Sequence, residues 1–378
     1  MSVELFGCTP GARNGLVDVP GLGLGHAICD EGQGDSGVTV VVAPEGAVAS
    51  VDVRGGGPGT RETDLLSPEN TVGAIHAVAL CGGSAFGLDA IAGVMSELES
   101  QGIGFPVLGD LAPELKIPIV PGAVIFDLLL GQWESRPTQA TGVEAARRAL
   151  ENYRAGNEDT NATYEQGNVG AGLGAAAGAL KGGFGQASAV FPEGTPLAGY
   201  TVSAAVVVNP QGTVFNPATG MLWGAEAELG EEFGNLKDVT VPTDNVEKMA
   251  AMNVLGTKIL PEMVGFSELN TTIGVVATDA PISKAQAKRL AMSSHDGLSR
   301  AIRPAHMPMD GDTLFALSTA QQQEGPSDKA TSVDPIGMSM LSATGANCVE
   351  RAIVHAVLNA TTAYETPSWK EAAGYDRS

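Results

Sequence analysis

Residues 270–280 read Asn-Thr-Thr-Ile-Gly-Val-Val-Ala-Thr-Asp-Ala (NTTIGVVATDA). From Thr271 to Thr278 the run is uncharged and rich in β-branched residues, which predicts a strand buried on both faces. Ser283 then reads as the N-cap of a helix starting over 283–292. A second strand follows over Asp312–Ser318 (DTLFALS), and a long terminal helix over Pro335–Ala360. Strand, helix, strand, helix in that order predicts a layered α/β sheet for the final third of the chain.

Upstream, GVTVVVA (37–43) and AVASVDV (47–53) are strand-like runs separated by Pro-Glu-Gly and are expected to form a hairpin. Thr71–Leu80 and Ala85–Glu99 are expected to be helical. The second carries Leu88, Ile91, Ala92, Met95 and Leu98 on one face and stops at Gly102. A further helix is expected over 142–155, followed by an exposed polar loop over 156–168. Residues 167–188 are dominated by glycine and alanine, so backbone must approach backbone or ligand closely there. Tyr200–Val208 and Thr213–Phe215, joined through Asn-Pro-Gln-Gly, read as a second hairpin. The charged stretch 223–269 reads as a long surface connection. No repeat of 20 to 50 residues is visible, and 1–378 is read as one domain of helices covering a layered sheet.

Composition narrows the possible functions. A 378-residue chain that is 43% hydrophobic can bury a large core. Its net charge of −22 repels phosphate backbones and argues against nucleic-acid binding. Cys8, Cys29, Cys81 and Cys348 form no C-x-x-C pair and no metal-ligand spacing with histidine, so neither a zinc site nor a disulfide framework is expected. No stretch approaches 18 uninterrupted apolar residues and the first residues do not resemble a signal peptide, so a cytoplasmic, membrane-free protein is expected.

Several familiar motifs fail when read residue by residue. GLGLGH at Gly21 has His26 where a dinucleotide fingerprint needs glycine, and Lys181 is followed by Gly182 where a phosphate loop needs Ser or Thr. A nucleophile elbow would need glycine where Phe86 and Leu269 stand. His26, His76 and His355 sit in apolar or small-residue surroundings and read as structural, whereas His295 and His306 flank the segment MPMDGDT. Asn270-Thr271 is the informative pair, because it enters a buried strand after a long polar stretch. Taken alone, Asn and Thr as turn residues ahead of a strand is the simpler reading. The alternative is that the Thr271 hydroxyl attacks its own preceding carbonyl. Cleavage would then leave a free α-amine, with a pKa near ~8, as base for the same hydroxyl. Asp310 and Asp312 stand two apart at a strand entrance and can face the same way. They read either as loop residues or, with a lysine such as Lys181, as groups that orient a threonine hydroxyl and amine.

Taken together, VDVRGGGPGTRETDLL (51–66), LCGGSAFGLDAIAGVM (80–95), PIVPGAVIFDL (118–128), NVGAGLGAAAGALKGG (168–183), NTTIGVVATDA (270–280) and MDGDTLFALST (309–319) resemble the DmpA-like L-aminopeptidase/D-esterase family. Within it, Thr271 after asparagine and the later D-G-D are most similar to the nylon-oligomer hydrolase branch. The resemblance implies a four-layer αββα sandwich like that of the N-terminal-nucleophile hydrolases, with the wiring shared by ornithine acetyltransferases. It implies self-cleavage between Asn270 and Thr271 into an α subunit (1–270) and a β subunit (271–378), with Thr271 as nucleophile. It also implies that Lys181 lies near the nucleophile, that Asn209 helps form the oxyanion hole, and that Asp310 and Asp312 are the acidic pair. Phe126 departs from the tyrosine of that branch. The expected activity is hydrolysis of small peptides or amides, nylon-type oligoamides included, with no metal or organic cofactor, in a homo-oligomer, usually a tetramer. Acyl transfer of the ornithine acetyltransferase type is the alternative.

Overall fold

The structure is a computed structural model that describes residues 5–29, 34–156, 165–253, 270–320 and 332–375. Strand β1 (Gly23–Ile28) leads into a 17-residue strand β2 (Gly37–Val53), followed by the short β3 (Thr60–Arg61) and by β4 (Ile75–Cys81). Helix α1 (Ala90–Ser100), the small pair β5 (Phe105–Pro106) and β6 (Lys116–Ile117), β7 (Gly122–Val124) and α2 (Gln139–Arg154) come next. A two-stranded turn, β8 (Ala176–Ala177) and β9 (Leu180–Lys181), precedes β10 (Gly183–Val190), β11 (Thr201–Val208) and α3 (Thr243–Asn253). The last part is β12 (Ile273–Thr278), α4 (Lys284–Ala301), β13 (Thr313–Ser318), α5 (Pro335–Asn359) and α6 (Trp369–Ala373).

β2 organises the sheets. Its first half pairs with β1 and β4, and its second half pairs antiparallel with β13. Pairing with β4 shifts register between Val42 and Ala47, and Gly46 there has φ +85°. Pro44-Glu45-Gly46 is therefore a bulge inside one bent strand, not the turn of the expected hairpin, because the two halves pair with different neighbours. Two sheet halves result, one running β10-β11-β12-β13-β2 and the other β2-β4-β7-β3 with β1 on β2.

Three cores separate four layers. Val41, Ala49, Val51, Val78 and Leu80 meet Ala205, Val207, Val275 and Phe315 between the sheet halves. Ala204, Val206, Val276, Leu314 and Ala316 on the opposite face pack on α4 and α5. Val38, Val40, Val42, Ala77 and Ala79 pack on α1 and α2. The αββα expectation therefore holds. α5 is buried along most of its length, from Met340 to Leu358, as expected of a helix apolar on nearly all sides.

The final third follows its expected order, with Ser283 accepting a hydrogen bond from Gln286 N as the N-cap of α4. Three upstream expectations are corrected. Residues 75–81 form a strand where a helix was expected; IHAVALC is buried throughout and pairs on both edges. Thr213 and Phe215 bridge Arg303 and Leu222 and do not form a hairpin with β11, whose neighbours are β10 and β12. Much of the supposed surface connection is built into the fold: Phe233, Leu236, Val241 and Met249 are buried, and Glu232 accepts from Arg351 Nε at 2.5 Å and pairs with His355 Nε2 at 2.9 Å. Its remainder, 254–269, and most of the loop expected over 156–168 lie outside the described residues. Among the described residues no helix is long and apolar enough to cross a membrane.

Candidate active site

β12 and β13 run parallel, pairing Ile273 with Thr313, and their ladder continues upstream into the segments that precede them. Thr313 N donates to Thr272 O at 3.1 Å, Gly311 N to Asn270 O at 2.8 Å, and Asn270 N to Met309 O at 3.3 Å. Asn270-Thr271-Thr272 thus lies alongside Asp310-Gly311-Asp312 at one constant offset of 40 residues. The Thr271 hydroxyl hydrogen-bonds Asn270 O at 2.5 Å, and Thr271 N donates to Asn209 O at 2.9 Å. The Thr271 hydroxyl and the carbonyl that precedes it are held side by side, at the mouth of a parallel strand pair.

The acidic segment is fixed from three directions. Gly57 N donates to Asp310 O at 2.8 Å and Arg54 N to Asp312 O at 2.9 Å, so Arg-Gly-Gly-Gly-Pro-Gly (54–59) wraps it. A Cβ on Gly55 would lie 2.2 Å from Asp310 O, which explains glycine there. The Asp310 carboxylate accepts from Gln211 N at 3.2 Å and Met307 N at 2.9 Å. Asp312 accepts from Thr272 N at 2.8 Å with one oxygen, and from His306 N at 3.1 Å and His306 Nδ1 at 2.8 Å with the other. His306, at φ +57°, is in turn edge-on to His295, and His295 Nε2 contacts Asp52 O at 3.1 Å. Both histidines that flank MPMDGDT therefore support the acidic segment. Their role needs the fold to be seen, since neither faces the threonine through a sequence motif.

Asn209 joins the remaining pieces. Its carbonyl holds Thr271 N, its Oδ1 accepts from Ala176 N at 3.0 Å, and its Nδ2 donates to Phe126 O at 3.1 Å. Phe126 touches Asn209 through its backbone carbonyl, a contact that does not depend on which ring occupies that position. Ala176 pairs with Lys181, whose Nζ donates to Ala175 O at 2.6 Å, Gly182 O at 3.1 Å and Gly172 O at 3.3 Å. Three carbonyl acceptors match the three hydrogens of an ammonium group. Close packing of the glycine-rich stretch makes this cradle possible: a Cβ on Gly182 would meet Val208 O at 2.0 Å.

Asn209 and Asp312 thus reach Thr271 and Thr272 by direct hydrogen bonds, Asp310 stands opposite Asn270 in a bridge made by Met309 O and Gly311 N, and Lys181 joins them through the Ala175–Ala176 backbone. Gly311 carries no side-chain signal, and only its placement between two aspartates marked it. Among the described residues no group of three or more His, Cys, Asp or Glu could hold a metal ion.

Burial, together with the neighbouring Asp312, pushes the Asp310 carboxyl up to about 6. Each of its oxygens accepts a backbone N–H, an arrangement that protonation disrupts. Activity is expected to fall as pH drops through about 6, and Asp310→Asn should lack that limb. The folded chain keeps this proton to higher pH than an ordinary aspartate, so the group weakens the fold as pH rises through the window between the two values and favours it as pH falls. A pH–rate profile with thermal melts at each pH checks this; an acid limb unchanged in Asp310→Asn would assign it elsewhere.

A sequence profile of peptidase family S58 matches residues 14–367. An uncharacterised aminopeptidase of Mycobacterium leprae is 43% identical over 369 residues, covering 94% of this chain and 93% of that protein. A 6-aminohexanoate-oligomer endohydrolase of a Kocuria species is 29% identical over 303 residues, covering 80% of this chain and 74% of its own length. Among solved structures, the L-aminopeptidase D-Ala-esterase/amidase of Ochrobactrum anthropi, described as a variant of the Ntn-hydrolase fold, superposes with TM-score 0.64 at 22% identity, over 93% of this chain and 87% of that one. That likeness is one of fold.

Proposed function

The chain belongs to peptidase family S58, and from that premise we propose that it cleaves itself between Asn270 and Thr271 and then hydrolyses short peptides or linear oligoamides with Thr271 as N-terminal nucleophile. The observation that carries this reading is the Thr271 hydroxyl, 2.5 Å from the oxygen of the carbonyl that precedes it. Burial adds to it: Lys181, Asn209, Asn270, Thr271, Asp310 and Asp312 are each no more than 4% exposed. A hydrolase with its reacting groups sealed inside must open, and breaking the chain at Asn270 frees the new ends to do so.

In the first step the Thr271 oxygen adds to the Asn270 carbonyl carbon and the C–N bond breaks. The hydroxyl proton ends on the Thr271 nitrogen, giving an ester that water hydrolyses. In the mature protein the Thr271 amine, with a pKa near ~8, takes the hydroxyl proton as a substrate amide is attacked. Asn209 contributes an amide N–H to the oxyanion, the Lys181 ammonium supplies a fixed positive charge, and Asp310 and Asp312 hold the strand entrance in register. Water then releases the acyl group from Thr271. Short peptides and linear oligoamides are proposed because the matched relatives include an aminopeptidase and a 6-aminohexanoate-oligomer endohydrolase. Assembly of the αβ units into homo-oligomers is part of the proposal, supported by six exposed apolar side chains on one small hairpin: Phe105, Val107, Leu108, Leu111, Leu115 and Ile117.

Purified protein of 38.4 kDa is expected to run under denaturing conditions as pieces of about 27 and about 11 kDa by length proportion. The smaller should begin Thr271-Thr272-Ile273 on N-terminal sequencing. Light scattering of the same sample under native conditions reads the assembly. A single intact chain with full amidase activity would remove self-cleavage from the reading.

A further inference from the structure

The register of the strand entrance places one more reacting group. Gly311 N lies 2.8 Å from Asn270 O, the oxygen that gains charge when the Thr271 hydroxyl adds to the Asn270 carbonyl. We propose that the Gly311 backbone N–H is the oxyanion donor for self-cleavage between Asn270 and Thr271, an inference that rests on the self-cleavage reading above.

Its position is imposed from outside the reacting pair. Asn270 N donates to Met309 O and Gly311 N donates back to Asn270 O, the two bonds of a parallel bridge that continues the β12–β13 ladder. The loop that presents Gly311 is closed by Asp310 N donating to Met307 O at 3.0 Å and by the Asp310 carboxylate accepting from Met307 N and Gln211 N. Gly57 N caps Asp310 O from the far side. The N–H therefore has one direction available before the reaction starts, as a preorganised donor requires. Glycine is needed for a separate reason: a Cβ at 311 would stand 2.7 Å from Thr271 Oγ1 and 2.8 Å from Gly57 O. The nucleophile packs on the bare α-carbon of the residue whose N–H polarises its target. This assigns the two aspartates a shared purpose, since Asp310 and Asp312 fix the loop on either side of that donor.

As Thr271 Oγ1 bonds to the Asn270 carbon, the carbonyl π electrons move to oxygen and the Gly311 hydrogen bond shortens onto the new charge. Collapse restores the carbonyl, expels the Thr271 nitrogen with the hydroxyl proton, and leaves the ester. Water then adds, giving the Asn270 carboxylate and free Thr271. No other reactant is required.

The test removes the N–H and leaves the shape. Cell-free translation with nonsense suppression replaces Gly311 by glycolic acid, converting one amide to an ester, and cleavage is followed by intact mass after synthesis. The control makes the same exchange at Thr313, with its α-hydroxy analogue, which removes the donor to Thr272 O in the same ladder without touching the scissile carbonyl. Self-cleavage is expected to slow by about 10²-fold or more at 311, the scale of one oxyanion donor, and by less than about tenfold at 313. Equal slowing at both positions, or cleavage at the wild-type rate with the ester at 311, overturns the inference. Failure of wild-type protein to cleave under the same conditions would instead defeat the self-cleavage reading, so the two failures are distinguishable. A Gly311 ester that melts far below the Thr313 ester would also count against it, because the N–H would then serve the fold.

Discussion

Thr271→Ala is expected to accumulate as one folded 38.4 kDa chain with no measurable amide hydrolysis. On the proposed reading the substitution removes the hydroxyl that attacks the Asn270 carbonyl and leaves the rest of the site intact. Thr272 is held otherwise: its N–H donates to Asp312, and among the described residues its hydroxyl bonds neither the Asn270 carbonyl nor any other group. The loss of one hydroxyl that bonds a backbone carbonyl costs on the order of 1 kcal/mol, small beside ordinary domain stability, so the variant should fold. Thr271→Ser keeps the oxygen and should both cleave and turn over, which separates loss of chemistry from loss of packing. Intact mass, thermal melting and an aminoacyl-anilide assay on the three proteins check this. Cleavage or turnover persisting in Thr271→Ala would move the nucleophile elsewhere.

The residues around Thr271 also show what a single sequence can and cannot disclose. The final third was legible because its apolar strand runs alternate with helical stretches, the first of them opened by Ser283, which caps as its side chain allows. The 37–53 region was misread because Pro-Glu-Gly has the composition of a turn, while its actual use as a bulge depends on which partners each half of the strand finds. IHAVALC was misread because a short run buried on all sides has no polar face, and periodicity then cannot tell strand from helix. For the site, resemblance rather than spacing brought Lys181, Asn209, Thr271, Asp310 and Asp312 together, since they come from four separate parts of the chain. Packing explains why spacing alone was mute: Lys181 reaches the others through backbone carbonyls, and Asn209 acts through its carbonyl as well as its amide. Backbone groups leave no mark in a one-letter sequence. The constant offset between Asn270-Thr271-Thr272 and Asp310-Gly311-Asp312 was a usable signal, but only once 273–278 and 313–318 were known to be parallel neighbours.

Lys181→Met is expected to lower hydrolysis by about 10²-fold or more across the whole pH range, because its ammonium acts as a fixed charge. An uncharged lysine would have one nitrogen lone pair facing carbonyl oxygens. Three carbonyls at 2.6, 3.1 and 3.3 Å accept from Nζ, as many as the hydrogens an ammonium carries. A lysine used as a neutral base would give activity that rises as its proton is lost. A fixed cation gives a loss that does not depend on pH. Methionine has nearly the same length and no donors, so it removes the charge; Ala175 O and Gly172 O keep the Gly182 and Ala175 N–H groups as donors, while the loss at Gly182 O costs roughly 1–3 kcal/mol if it stays dry. The stability loss is therefore a separate, measurable quantity, and activity should be compared at temperatures where both proteins are folded by circular dichroism. Self-cleavage in the variant should slow as well, because the same cradle sits behind Asn209 and the Thr271 amide. If the variant is folded and its shortfall against wild type widens as pH rises, Lys181 is a titrating base and the fixed-charge assignment fails.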